Sequence, residues 1–438
     1  MGMTKMPHLR RVTDPVTGET CKMLRHRSGM EIWIAEQPEF HTAAAQLGVR
    51  FGSVHTQFDV NGGTHRIPAG TAHFLEHTVF ERDGEDASVL LNRLGAADNA
   101  YTTFDRTVFY FQTQQNFQEA LEILLRFVLH PHFTAESIEK ERPIITQEIC
   151  EYLDAPDDRL FYGLMNGLYR SLPVREDVAG SAESIAQITP ALLERCHAAF
   201  YRPEHMVLCC AGNLPAEMIL ETADRLLPQL PPLTAVPVFQ PEPAAPARRR
   251  ICLRMAVSKT QFSIGFKSEP VQGDALLIQT QLGELVLELI AGAASPLYAE
   301  MHADGLINDC FSTSAFTGER WFVLMAEGES DDPEEVLARL NAEIARVLRE
   351  GIDAERFAAL QRAAYGDALL SVNTPAAASS AMLDACMMRL DSPYAERSCL
   401  AALTPADALT LLRERLNPEQ VCLSVITPMQ DREPDTKG

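Results

Sequence analysis

Two histidines and a glutamate carry the most specific chemical signal in this 438-residue chain. Within PAGTAHFLEHTVF, the run His73-Phe74-Leu75-Glu76-His77 sets two imidazoles four residues apart. On a helix, positions i and i+4 share a face about one turn apart, so both rings can reach a single metal ion. Glu76, three residues after His73, lies on that face with an offset and can reach a water beside the metal without ligating it. That is the general-base arrangement of a metalloprotease in the inverted order H-x-x-E-H. A solvated helix face could carry the same spelling, so the surrounding elements have to decide between the two. A catalytic zinc takes three protein ligands and keeps one position open. In AESIEKERPIITQEICEY, Glu141 and Glu148 stand seven apart, two turns along one helix face. Either could ligate while the other orients a ligand. Glu136 and Glu139 read as solvent-facing charges.

The elements that must position these groups can be read from hydrophobic period and turn residues. Pro68 and Gly70 suit the turn before a helix over Thr71–Phe80, with Thr71 as its N-cap. Strand-like segments precede it at Glu31–Ala35 and Ala44–Phe51 and follow it at Ala100–Thr103 and Val108–Gln112. Amphipathic helices over Phe117–Leu129 and Ala135–Tyr152 close the set, and Pro143 should kink or delay the second of them. The same succession recurs at Arg250–Met255, Gln261–Phe266, Ala275–Ala291, Asp309–Ser314, Arg320–Ala326, Pro333–Glu350 and Ala354–Val372. Thr134-Ala135-Glu136 and Asp353-Ala354-Glu355 open the last helix of each set as capping sequences. Between the two sets, Pro228 to Arg250 carries seven prolines and no helical period, an extended connector. The expected domains are therefore 1–227, a linker over 228–250, and 251–438. The expected fold class is α+β, with two homologous halves, each a mostly antiparallel sheet covered on one face by helices.

His73 to His77 followed by the Glu141–Glu148 pair is similar to the inverted-zincin metallopeptidases of the insulysin, pitrilysin and mitochondrial processing peptidase family. LGAADNAYTTFDRTVFYF (94–111) resembles that family's Asn-Ala-plus-strand signature, and HPHFTAESIEKERPIITQEI (130–149) its second metal signature. The resemblance covers nearly the whole chain. PVREDVAGSAESI and DGLINDCFS look closest to bacterial zinc proteases of the shorter, processing-peptidase-like branch. The resemblance implies one Zn2+ per chain held by His73, His77 and Glu148, with Glu76 as the base that activates water and Glu141 as a supporting carboxylate. It also implies that Asn99 and Ala100 flank an exposed strand on which a peptide substrate aligns by strand addition. Three departures stand out. The 148 − 77 − 1 = 70 residues between His77 and Glu148 are slightly fewer than the family norm. The family's C-terminal Arg and Tyr, which help hold the oxyanion, are matched here by His302 and Asn308. Leu285 and Leu289 stand at the positions matching the two histidines, so the second half should carry no metal and serve as a wall of the substrate chamber. Two-subunit relatives divide zinc and the Arg/Tyr pair between chains, which implies a homo- or heterodimer with this chain as the zinc-bearing subunit. A zinc endopeptidase acting on peptides or unstructured segments is the first reading. The alternative is a non-catalytic or partner-dependent peptide-binding subunit on the same scaffold.

Composition narrows the classes further. Against 38 Lys+Arg stand 60 Asp+Glu, a formal charge of −22, which disfavours a nucleic-acid partner because phosphates demand cations. The ten cysteines are scattered with no C-x-x-C pair, so neither a disulfide framework nor a thiolate zinc knuckle is expected. Residues 1–15 lack an apolar core, and no run approaches a membrane-spanning length, so the expectation is a cytoplasmic protein without membrane contact.

Overall fold

The computed structural model describes residues 9–82 and 85–429. They form two compact units, each assembled from three stretches of chain. Unit 1 comprises Met1–Ile149, Glu176–Phe239 and Asp367–Arg397; unit 2 comprises Cys150–Arg175, Gln240–Gly366 and Ser398–Gly438.

Unit 1 is built on a seven-stranded sheet. Its strands are β1 (Arg10–Thr13), β2 (Thr20–Arg25), β3 (Glu31–Glu36), β4 (Ala43–Val49), β5 (Ala97–Thr102), β6 (Thr107–Thr113) and β7 (Met206–Gly212), in the order β1-β2-β3-β7-β4-β6-β5. Only β3 and β7 run parallel; every other pair is antiparallel. Unit 2 holds β8 (Arg250–Met255), β9 (Gln261–Ser268), β10 (Ser312–Gly318), β11 (Trp321–Glu329) and β12 (Val421–Pro428), in the order β8-β12-β9-β11-β10. Adding five to each strand number of β3-β7-β4-β6-β5 gives the second order. The parallel pair falls in the same place, β8 with β12. The chain is thus a duplication of one α+β design.

The helices repeat as well. In the first half of the sequence, α1 (Thr71–Val79) lies between β4 and β5, and α2 (Phe117–Leu129), α3 (Ala135–Asp154) and α4 (Pro156–Leu168) follow β6. In the second half, α5 (Asp274–Ala291) lies between β9 and β10, and α6 (Pro333–Glu350), α7 (Ala354–Leu370) and α8 (Pro375–Met387) follow β11. The last helix of each series is exchanged. α4 packs on β12, β9 and β8, while α8 packs on β7, β4 and β3. A central-strand glycine admits each one: a Cβ at Gly48 would meet Met387 and Leu383 of α8, and one at Gly265 would meet Leu164 and Leu168 of α4. A continuous reading of the sequence cannot express this exchange.

Central strands buried along their whole length follow from cover on both faces. β4 and β7 contain no exposed or half-exposed residue. Side chains alternate between faces, and Gln46 of β4 reaches Ser379 of α8 at 3.3 Å. Leu47 therefore faces the other way, with its partner Phe109 of β6. Phe109 meets Phe80, the residue that ends α1, edge-on at 5.3 Å between ring centres. The α1 side of the sheet is the one that carries the polar residues described below.

The proline-rich segment is extended and docked. Val236–Pro237 pairs with Phe58–Asp59 in unit 1. In unit 2, Glu242 accepts the amides of Arg170, Ser171 and Leu172 at 2.7–2.9 Å and pairs with the buried Lys267 at 2.8 Å. Strand Asp309–Ser314, read from the sequence, begins later, at Ser312, because Asn308 to Phe311 form a turn. Among the described residues, no single helix is long and apolar enough to cross a membrane.

Candidate active site

Helix α1 starts on a glycine that needs to be one. Gly70 adopts φ 84°, a left-handed conformation that L side chains resist, and a Cβ there would lie 2.3 Å from the Ala179 carbonyl oxygen. Gly180 mirrors it, with φ 78° and a built Cβ 2.6 Å from the Ala69 oxygen. Ser184 then donates its hydroxyl to that Ala69 oxygen at 2.9 Å. The VAGSAES loop thus clamps the N-terminal end of α1. Thr71 is not the N-cap; it is the first helical residue, and its hydroxyl turns back to the Pro68 carbonyl at 2.7 Å.

Eight of the nine residues of α1 are buried, including His73 at 7% exposure and Glu76 at 9%. A solvated polar face is therefore ruled out. Burying polar groups is unfavourable unless they are paired, and here the pairing converges on one point. The Nε2 atoms of His73 and His77 each lie 3.5 Å from an oxygen of Glu148, and His77 Nδ1 lies 3.5 Å from Glu141 Oε2. The two rings sit edge to face, 4.7 Å apart. One ligand atom from each of His73, His77 and Glu148 can be chosen so that all three fall within 4.8 Å of one another.

This donor set fits a metal ion. Atoms bound about 2.0–2.1 Å from a tetrahedral zinc lie roughly 3.4 Å apart, close to the separations between the imidazole nitrogens and the carboxylate. Two imidazoles and a carboxylate are also a common catalytic-zinc ligand set. His73 Nδ1 is buried with no hydrogen-bond partner, so the ring is held by packing and by what its Nε2 faces. Helix α3 delivers both carboxylates. Thr134 accepts the Ser137 amide at 3.0 Å and starts the helix, which then runs to Asp154 with Pro143 inside it. Near Pro143, Arg142 reaches the carbonyls of Ile185 and Ile188.

Electrostatics divide the cluster. Burial would lower the His77 imidazole, but the Glu141 and Glu148 carboxylates outweigh it and raise the ring to about 9. Burial pushes the Glu76 carboxyl above the usual carboxylate range, against the pull of His73, the Thr102 hydroxyl and His77. Thr102, on β5, donates that hydroxyl to Glu76 Oε2 at 2.5 Å. The spacing of the H-x-x-E-H run could not have found Thr102. Its signal lies in the strand register: Thr102 pairs with Thr107 and Ala100 with Phe109, placing all four on the α1 face.

The residues flanking the expected substrate strand are placed at a sheet edge. Among the described residues, β5 pairs in the sheet with β6 alone, which leaves its outer edge without a strand partner. Asn99 is exposed, and its Oδ1 accepts the Ala100 amide at 2.8 Å. His302 and Asn308 belong to unit 2 and are engaged there. His302 is exposed beside Asp309 at 3.0 Å, and Asn308 donates to Glu329 at 2.7 Å while accepting the Cys310 amide.

With this geometry in place, comparison with known proteins decides the family. Residues 32–182 match the family described as "Insulinase (Peptidase family M16)", and residues 187–364 match "Peptidase M16 inactive domain". The "uncharacterized zinc protease YmfH" of Bacillus subtilis (strain 168) is 32% identical over 366 residues, covering 82% of this chain and 85% of that protein. The chain belongs to the M16 peptidase family. An M16-like peptidase from Alicyclobacillus acidocaldarius superposes with a TM-score of 0.91 at 29% identity, covering 95% of this chain and all of that one. Pitrilysin shares the fold at a TM-score of 0.77 and 17% identity, with this chain spanning 47% of its length. The "inactive domain" match falls largely on the second half, where Leu285 and Leu289 lie buried in α5.

Proposed function

We propose that this M16 chain is a zinc-dependent endopeptidase acting on peptides or unstructured segments. The observation that carries the reading is the convergence of His73 Nε2, His77 Nε2 and a Glu148 oxygen beside the buried Glu76. One Zn2+ per chain would be held by His73, His77 and Glu148, and when bound it supplies a Lewis acid for the peptide carbonyl and for water. Glu76 accepts the proton of the attacking water on a carboxylate oxygen and returns it to the departing amine nitrogen. Glu141, beside His77 Nδ1, orients that ring. The open edge of β5 at Asn99 and Ala100 aligns an extended peptide by strand addition. In this reading the chemistry resides in the first half (1–227), and the second (251–438), beyond the proline-rich linker, carries no metal.

Metal analysis tests the ligand set. The expected result is about one zinc per wild-type chain, none in His77→Ala or Glu148→Ala, and retention in Glu141→Gln with affinity reduced roughly 10- to 100-fold. Full zinc occupancy in His77→Ala would overturn the assignment.

Two observations favour a partner. The chain spans 47% of pitrilysin, and His302 and Asn308 stand where the resemblance places Arg and Tyr. A second subunit, either another copy or an Arg/Tyr-bearing paralogue, would supply the missing oxyanion donors. Mixing experiments distinguish the cases: hydrolysis by the purified chain alone excludes an obligatory paralogue.

A further inference from the structure

We infer that Thr102 is the positioning residue for the base of this reaction: its hydroxyl fixes which oxygen of Glu76 is free to move a proton. The inference rests on the peptidase reading and adds to it a residue outside the H-x-x-E-H run.

A hydroxyl carries one proton and can donate only once. Thr102 Oγ1 lies 2.5 Å from Glu76 Oε2 and 3.3 Å from Thr107 Oγ1. Thr107 gives its own proton to the Phe51 carbonyl at 2.9 Å. An ionised carboxylate only accepts, so the Thr102 proton goes to Glu76 Oε2. The short distance is that of a charge-assisted bond. One lone pair of Oε2 is thereby engaged, which makes it the weaker acceptor and leaves Oε1 the more basic oxygen for a proton from water.

The strand makes this contact rigid. Thr102 is the last residue of β5, and its register against Thr107 points both side chains at α1. A long, flexible glutamate is thus held by a β-branched residue with few rotamers. Positioning of this kind matters because a misplacement of about 1 Å at a reacting group reduces rates by roughly 100-fold. The same edge strand carries Asn99 and Ala100, so the segment proposed to align the substrate also aligns the base.

The experiment compares Thr102→Val, which keeps the shape and removes the hydroxyl, with Thr102→Ser, which keeps the hydroxyl. The full-length zinc-loaded chain is assayed on a fluorogenic peptide mixture, with Glu76→Gln alongside. Zinc content should match wild type in both threonine variants, and the thermal midpoint should match in Thr102→Ser. The expected result for Thr102→Val is a fall in kcat of roughly 10- to 100-fold with KM unchanged, and Thr102→Ser should recover most of it. Crystal structures supply a readout independent of turnover: the Glu76 carboxylate should hold one conformer in wild type and Thr102→Ser and spread over several in Thr102→Val. An unaltered single conformer in Thr102→Val, or wild-type kcat in that variant while Glu76→Gln is inactive, overturns the inference. Full activity in Glu76→Gln instead sinks the peptidase reading, and the conformer comparison still decides the role of Thr102.

Discussion

Substituting Gly70 by alanine should damage the site from a distance. Two terms add. The left-handed backbone disfavours a Cβ by about 1–2 kcal/mol. The built Cβ lies 2.3 Å from the Ala179 oxygen, where real Cβ atoms essentially never come under 3.0 Å. The two chains must therefore part by at least 3.0 − 2.3 = 0.7 Å. Because the obstacle is backbone, no rotamer change relieves it, and overpacking of this kind costs about 1–3 kcal/mol. The expected total is about 2–5 kcal/mol. Gly62 is an internal control, with φ 77° and nothing within 4 Å of a built Cβ. Gly62→Ala should show the backbone term alone. The chain has two tryptophans, Trp33 on β3 of unit 1 and Trp321 on β11 of unit 2. In a Trp321→Phe background, Trp33 fluorescence reports urea unfolding of unit 1. Gly70→Ala should move that midpoint well below Gly62→Ala and weaken zinc binding, since Gly70 immediately precedes the helix of His73. Equal midpoints for the two variants would refute the idea that the Gly70–Gly180 crossing holds α1 in place.

Other expectations follow from the same coordinates. Glu242→Ala leaves the Lys267 ammonium buried without its carboxylate and should destabilise unit 2 by about 3–5 kcal/mol, read from Trp321 fluorescence in a Trp33→Phe background. Burial holds the His197 imidazole down at about 4, below its ordinary value near 6.5. Between those values the unfolded chain binds the extra proton, so stability rises with pH through this window, is complete above about 6.5, and is lost as pH falls towards 4. The span is on the order of 3 kcal/mol, and His197→Gln should flatten that part of the denaturation profile; an unchanged slope would contradict it. Gly48→Val should expel α8, because its side chain would occupy the place of Met387 and Leu383, and limited proteolysis should then cut near Pro375–Met387.

Much of the fold was legible because hydrophobic period is local. The strands at Arg250–Met255 and the helices at Phe117–Leu129 and Pro333–Glu350 end where the patterns end. The i, i+4 spacing also gave the shared direction of His73 and His77, whose Nε2 atoms both face Glu148, but it did not say which glutamate they would face. What stayed hidden depends on tertiary approach. The exchange of α4 and α8 rests on Gly48 and Gly265, and a glycine in a strand does not say which helix it admits. Thr71 looked like a cap, but the left-handed Gly70 takes that position under pressure from Ala179. The role of Thr102 depends on a strand register that brings Thr102 and Thr107 to the α1 face.

The central claim, that Glu76 is the base of a zinc peptidase built on His73, His77 and Glu148, is tested most directly by one paired measurement on Glu76→Gln. Zinc content and peptide hydrolysis are determined on the same preparation. The account predicts about one zinc per chain, as in wild type, with hydrolysis abolished. Retained zinc with undiminished hydrolysis would contradict it.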